Sequence, residues 1–324
     1  MITPTRVLAA AASLAILASA CGVAPVASSP PPPSVASAVA TASAPASPAL
    51  TGPAAVAVRY FDLVNRGDAS GVATLFTDDA VFIGAGPCEV TTFCKGTAAI
   101  AKRVEAAAAG HSKLTLVGTP LVAGTLVFMR WEVRSDSIQR AGLERRLVVG
   151  NVVVLGDKIG VFAAQDDLSD AQTLKFGTAQ QQAQASTSPA SSGTKTDPAV
   201  AVQRYIDALN RGDATAAAAV FADTAVNISG SCPSKAPCKT PADILKQIQT
   251  SIAGHWKVTL GNPLVAGNVV QFRPEVRNDA VTAAGVGSIR AFDTWTIAGD
   301  KAVGHIALFD LSDAQTLKFF QAQK

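Results

Sequence analysis

The chain has 324 residues, a formal net charge of +3, 48% hydrophobic residues and only 16% charged ones. Much of the apolar fraction is alanine, and no apolar run reaches the roughly 20 residues that a membrane span needs. No cluster of Lys and Arg with interleaved aromatics points to nucleic acid, and three histidines in all offer little to a metal ion.

Residues 1–20 read as a targeting segment rather than structure, with Arg6 before the short apolar stretch Val7–Leu17. Residues 21–52 are rich in Ala, Pro and Ser, include the run Pro30–Pro33 and predict an extended tether. A domain spans 53–177. Ala57, Tyr60, Phe61 and Val64 recur at helical spacing, Gly67 stops that helix, and Asp68 is placed to cap a second, short one. A third helix starts at Thr97, preceded by a short strand. After Gly110 the pattern turns to strands at Lys113–Val117, Thr125–Arg134, Leu147–Leu155 and Ile159–Asp166, with a Gly156-Asp157 turn joining the last two. Residues 178–197 are polar and read as a linker. Residues 198–324 form a second domain in which Thr240, Pro241 and Asp243 supply a helix start.

The second domain is a copy of the first. Asp-Leu-Ser-Asp-Ala-Gln-Thr-Leu-Lys-Phe occurs at Asp167–Phe176 and again at Asp310–Phe319. Tyr60, Asn65-Arg66-Gly67-Asp68 and Gly110-His111 recur as Tyr205, Asn210-Arg211-Gly212-Asp213 and Gly254-His255. Each copy has about 125 residues, enough for its own core. The expected fold class is α+β: a tandem duplication of a cone-shaped domain, three helices packed on a curved antiparallel sheet. The duplicated decapeptide either closes its own domain or docks the two copies as an intramolecular pair.

Five cysteines divide into Cys21 and two pairs of equal spacing, Cys88/Cys94 and Cys232/Cys238. The pairs read as local disulfides, which export to an oxidising compartment permits. Ala18-Ser19-Ala20-Cys21 resembles the lipobox of bacterial lipoproteins, although Leu17 stands four residues before the cysteine rather than three. Ala18-Ser19-Ala20 also suits an ordinary signal peptidase. The lipobox resemblance implies lipidation of Cys21, an extracytoplasmic location and a membrane partner through the anchor.

Tyr60-Phe61-Asp62-Leu63-Val64-Asn65-Arg66-Gly67-Asp68, Leu75–Val81 and their counterparts through Val226 resemble the nuclear transport factor 2-like superfamily, which includes ketosteroid isomerases and polyketide cyclases. The resemblance covers both domains. It implies an apolar pocket between helices and sheet, and a fold that serves enzymes, binders and inert scaffolds alike. Tyr60 and Tyr205 stand at the isomerase tyrosine's place, while the place of its general base is taken by Gly84 and Ser229. Asp293 lies near the place of the oxyanion-stabilising aspartate, where the first copy has Gly150-Asn151; on its strand it can point into a pocket, but solvent is the expected side. His305 has the same choice. His111 and His255 follow helix ends and read as structural. On Thr125–Arg134, Val127, Met129, Trp131 and Val133 form an apolar face, and Arg130, Glu132 and Arg134 a charged face expected in solvent. The pocket candidates are thus Tyr60, Phe82, Met129, Trp131, Tyr205, Asp293, Trp295 and His305, with no catalytic residue, cofactor or metal assigned. Where Trp131 meets Pro274 and Phe82 meets Asn227 the copies diverge, so two pockets would not hold one ligand. The leading expectation is a non-catalytic binding module for a small apolar ligand; an isomerase- or cyclase-type enzyme and a purely structural envelope module are the alternatives.

Overall fold

The computed structural model describes residues 50–84, 88–89, 92–187, 197–229, 232 and 237–323. The targeting segment, Cys21 and nearly all of the tether lie outside the described residues, as do 188–196 of the expected linker. No helix among the described residues is long and apolar enough to cross a membrane.

Domain 1 begins with α1 (Gly52–Arg66), α2 (Ala69–Leu75) and β1 (Phe76–Ile83), followed by β2 (Cys94–Lys95) and α3 (Thr97–Ala109). It continues with β3 (Lys113–Leu116), β4 (Leu121–Ala123), β5 (Leu126–Arg134), α4 (Asp136–Arg140), β6 (Arg146–Leu155), β7 (Lys158–Asp166) and α5 (Ala171–Thr187). α1 buries the predicted stripe of Ala57, Tyr60, Phe61 and Val64, and each large side chain so buried is worth about 1.5–3 kcal/mol. Gly67 ends it at φ 70°, a left-handed conformation that glycine adopts without a Cβ clash. The Asp68 side chain then accepts from Gly71 N and caps α2. α5 carries helix through Thr187, into the stretch read as linker.

Domain 2 repeats this order. α6 (Pro198–Arg211), α7 (Ala214–Ala218), β8 (Phe221–Ile228) and α8 (Pro241–Ala253) lead into β9 (Lys257–Thr259) and β10 (Leu264–Ala266). Then come β11 (Val269–Phe272), β12 (Glu275–Arg277), α9 (Asp279–Ala283), β13 (Ile289–Ala298), β14 (Lys301–Phe309) and α10 (Ala314–Gln321). The strand that is continuous as β5 is broken here into β11 and β12 by Arg273-Pro274, because proline cannot donate to the ladder. The Thr240 side chain accepts from Asp243 N and Pro241 opens α8, as the sequence implies.

The sheet runs β2-β1-β7-β6-β5-β3 in domain 1, with β4 also on β5. One pair departs from the antiparallel expectation: β1 lies parallel to β7, and β8 parallel to β14. The first strand follows two helices, and a third helix and the rest of the sheet separate it from the last strand, a long crossover that suits a parallel pairing. Breaks in register at Val153/Val154 and Thr296/Ile297 interrupt the long β6–β7 and β13–β14 ladders, and such bulges bend a strand. His111 and His255 take positive φ (49° and 53°) just beyond α3 and α8, and each Nδ1 meets a carboxylate, Asp136 or Asp279, at 2.8 Å. Neither stands on the lining of a cavity described below. The disulfides Cys88–Cys94 and Cys232–Cys238 are formed.

The duplicated decapeptide works in both directions. Asp167 is buried, and its carboxylate takes the Arg130 guanidinium at 2.5 Å and the Ser169 amide at 3.1 Å. Asp170 caps α5 through Thr173, and Leu147 N donates to the Thr173 hydroxyl. Burial pushes the Asp170 carboxyl up, but hydrogen bonds from Thr173 and the Arg145 guanidinium outweigh it and hold the group below the usual range. Asp310, Asp313, Thr316 and Arg273 repeat the arrangement. At the same time Leu168 N donates to Gln271 Oε1 (2.9 Å) in the other domain, and Gln271 Nε2 donates to Asp166 O (2.7 Å). The outer sheet faces share a third apolar cluster, with Val149, Val161 and Phe128 against Phe292, Ile306 and Leu311. Arg130 therefore does not simply face solvent: its face of β5 turns toward domain 2, where Phe128 stacks on Phe292 at 6.1 Å.

Candidate functional site

A cavity opens at the same place in each cone, but the two are built differently. Repeat alignment and matching strand registers pair Phe82 with Asn227, Phe162 with His305, Gly150 with Asp293, Trp131 with Pro274 and Arg103 with Gln247. One wall is aromatic in the first copy and polar in the second.

In domain 1, Phe82 and Phe162 stack at 4.8 Å and 11° across the parallel β1–β7 pair, and Tyr60 packs on Phe162 at 4.6 Å. The Trp131 ring fills the place above Gly150, where an added Cβ would lie 2.6 Å from its Cη2 atom. Arg103, from α3, lays its guanidinium over Phe82 (4.2 Å) and donates from Nη1 to the Tyr60 hydroxyl (3.0 Å). Burial pushes the Tyr60 phenol up and Arg103 opposes it, so the phenol stays neutral. A neutral phenol that accepts from a guanidinium is a polarised donor for a ligand oxygen. The cavity measures about 570 Å³ in all and continues beyond the cone to residues of domain 2; within the cone it is lined by Tyr60, Phe82, Trp131, Phe162 and Arg103, with Val64, Leu114, Val133 and Val148 as its aliphatic walls. Arg146 and Asp166, paired at 2.7 Å, stand on its lining.

In domain 2 the wall is a buried line of polar groups. Asn227 Nδ2 donates to Gln247 Oε1 (3.3 Å), and Gln247 Nε2 donates to Ser251 Oγ (3.0 Å). That orientation turns Asn227 Oδ1 toward His305 Nδ1 at 2.9 Å, so Nδ1 carries a hydrogen. His305 Nε2 meets Asp293 Oδ1, and the contact requires one further proton, held by one or other of the two. The His305 ring lies on Trp295 at 3.8 Å and 16°. Tyr205 stands beside this group; burial and then the Asp293 charge push its phenol far up, so it remains a neutral donor. The cavity over these groups is small, about 60 Å³, with Tyr205, Asp293 and His305 on its lining together with Leu209, Trp256 and Phe309.

Six of the eight pocket candidates therefore line these cavities: Tyr60, Phe82 and Trp131 in the first, Tyr205, Asp293 and His305 in the second. Met129 and Trp295 line neither. Met129 is packed in the domain 1 core beside Gly150, and Trp295 lies beneath His305. Asp293 turns inward and not to the expected solvent side, because His305 gives it a partner and Pro274 replaces the indole that would occupy its space. Gly84 and Ser229 reach the linings without titratable groups, and Ser229 donates to Asn227 Oδ1. Sequence reasoning missed Arg103, Phe162, Gln247 and Ser251. The signal in the sequence is the joint change of Phe82, Gly150, Trp131 and Phe162 between copies. Among the described residues, no group of three or more His, Cys, Asp or Glu could hold a metal ion.

No curated protein matches the sequence. Among solved structures, an NTF2-like protein of unknown function from Cytophaga hutchinsonii is 13% identical over 37% of this chain and 95% of its own, with a TM-score of 0.30. A protein from Sphaerobacter thermophilus is 23% identical over 34% of this chain and 92% of its own (TM-score 0.29). The epoxide hydrolase/cyclase-like enzyme SalBIII, in pyran ring formation in the polyether salinomycin, is 18% identical over 36% and 90% (TM-score 0.29). Each aligns over about one domain's length. The SnoaL-like domain profile matches twice, at residues 57–159 and 202–305, and the chain thus belongs to the SnoaL-like family as a tandem pair of its domains.

Proposed function

We propose that the protein is an extracytoplasmic binding module, anchored through a lipid on Cys21, whose first cone holds a small, largely apolar ligand. The observation that carries this reading is the cavity of about 570 Å³ with Arg103 and Tyr60 set among aliphatic walls. Its size falls in the range of ligand sites, and convergent polar groups on an apolar lining fix a ligand's orientation. The guanidinium and the polarised phenol suit a carboxylate or carbonyl oxygen. The two disulfides support export, since such bridges persist in oxidising compartments. The contacts between the outer sheet faces support two domains acting as a pair.

Native mass spectrometry of protein purified after export, before and after solvent extraction, tests the reading. A stoichiometric small molecule that extraction removes is expected; bare protein in both samples would defeat it. Arg103→Met should cut occupancy about tenfold to a hundredfold, because a hydrogen bond to a charged group contributes about 1.5–3 kcal/mol. The same mass measurement reads it, and unchanged occupancy would remove Arg103 from the site.

A second reading is favoured by the Asp293–His305 contact. A proton held beside a neutral tyrosine is the equipment of an isomerase- or cyclase-type enzyme. Under that reading Asp293→Asn and Tyr205→Phe each lower turnover about a hundredfold. Turnover unchanged in Asp293→Asn would eliminate it.

A further inference from the structure

The domain 1 cavity does not end inside its own cone. Its lining continues past Asp166 and Gly177 to residues of domain 2, among them Asn268, Thr294 and Thr296. α5 packs against β10 here, so that an added Cβ on Gly177 would lie 3.0 Å from the Ala266 Cβ. Two amide oxygens on this stretch lack a hydrogen-bond donor. Gln165 Oε1 and Asn268 Oδ1 are both buried and unpartnered. Gln165 is only 9% exposed, and its Nε2 is committed to Phe292 O at 2.9 Å, so turning the amide would sacrifice that bond. Thr294 Oγ1 accepts from Gln271 Nε2 at 3.0 Å, which leaves its own proton for another acceptor. Buried acceptors are nearly always paired, with protein or with water, so an unpaired one on a cavity lining is open to a donor from water or from a ligand.

We infer that the ligand of the first cone extends to this seam, where Gln165 and Asn268 receive a hydroxyl or amino group from it. The inference rests on the binding reading above and names the ligand class: an apolar body with an acid or carbonyl group toward Arg103 and Tyr60, and a hydrogen-bond donor toward Gln165 and Asn268. A medium-chain hydroxy acid is the simplest molecule of that description. The second domain then supplies a wall of the first domain's site, and one copy alone would leave the site open.

Calorimetric titration of solvent-extracted protein with decanoate and 10-hydroxydecanoate tests the inference. The hydroxy acid should bind about tenfold more tightly, the yield of one added hydrogen bond to otherwise unpaired acceptors. Asn268→Leu and Gln165→Leu should abolish that preference and leave decanoate binding in place. Asn268 lies in the β10–β11 turn and is only partly buried, so its variant keeps the test open if Gln165→Leu does not fold. Equal binding of both acids, or a preference that survives the Asn268 substitution, would overturn the shared site while leaving the cone as a binding site. Failure of both acids to bind would overturn the inference and weigh against the cone itself.

Discussion

Replacing Arg130 with leucine is expected to destabilise the protein by about 3 kcal/mol, the lower end of the cost of stripping a partner from a buried charge. Asp167 is fully buried, with side-chain exposure of 1%, and Arg130 Nη2 lies 2.5 Å from it. Removing the guanidinium leaves the carboxylate with the Ser169 donors alone. Arg130 is itself 42% exposed, and solvent already screens part of the pair, so the upper end of the range does not apply. Adding Asp167→Asn should recover most of the loss, because an amide can keep the Ser169 bonds without carrying charge. Urea unfolding of wild type, both single variants and the double variant measures this. Simple additivity of the two losses would show that the pair is not what holds the decapeptide in place. Arg273→Leu should act alike on Asp310 in the second copy.

Trp131→Ala should cost about 3–5 kcal/mol, the range for emptying a large aromatic site in a core. Trp131 is 4% exposed and makes edge contacts with Phe61 (5.3 Å) and Phe162 (5.8 Å). Its ring also occupies the space that Gly150 leaves, so Gly150→Ala alone should be destabilising by overpacking, about 1–3 kcal/mol. In the Trp131→Ala background that second penalty should shrink without vanishing, because Ala163 O remains 2.9 Å from the new Cβ and backbone cannot give way as a side chain can. A double-mutant cycle by thermal or urea unfolding reads the coupling. Coupling near zero would mean that glycine at 150 and tryptophan at 131 are unrelated, and that the glycine-to-aspartate and tryptophan-to-proline differences between copies are independent. A strong coupling would show that glycine at 150 and tryptophan at 131 depend on each other for packing.

These two sites also separate what is legible in the chain from what is not. The duplicated decapeptide, the helix stripe of Tyr60 and Phe61, the αL stop at Gly67, the Asp68 cap and the strand alternation are local features. They follow from periodicity and backbone preference within a few residues, so the sequence alone determines both copies of the fold, its element order and the pairing of the four domain cysteines. The parallel pairing of β1 with β7 is not local, since residues nearly a whole domain apart meet there, and no single stretch encodes it. The site depends on that pairing. Phe82 meets Phe162, and Asn227 meets His305, only because the first and last strands lie side by side. Asp293 offers two faces to a reader of the sequence; His305 as a partner and the space left by Pro274 decide for the inside. The roles of Arg103 and Gln247 depend on α3 and α8 crossing over those strands. Even the seam residues Gln165 and Asn268 look like ordinary surface amides in the chain. Tertiary packing alone buries their amide oxygens without donors from the chain, because hydrogen-bond demand is set by what surrounds a group and not by its neighbours in sequence.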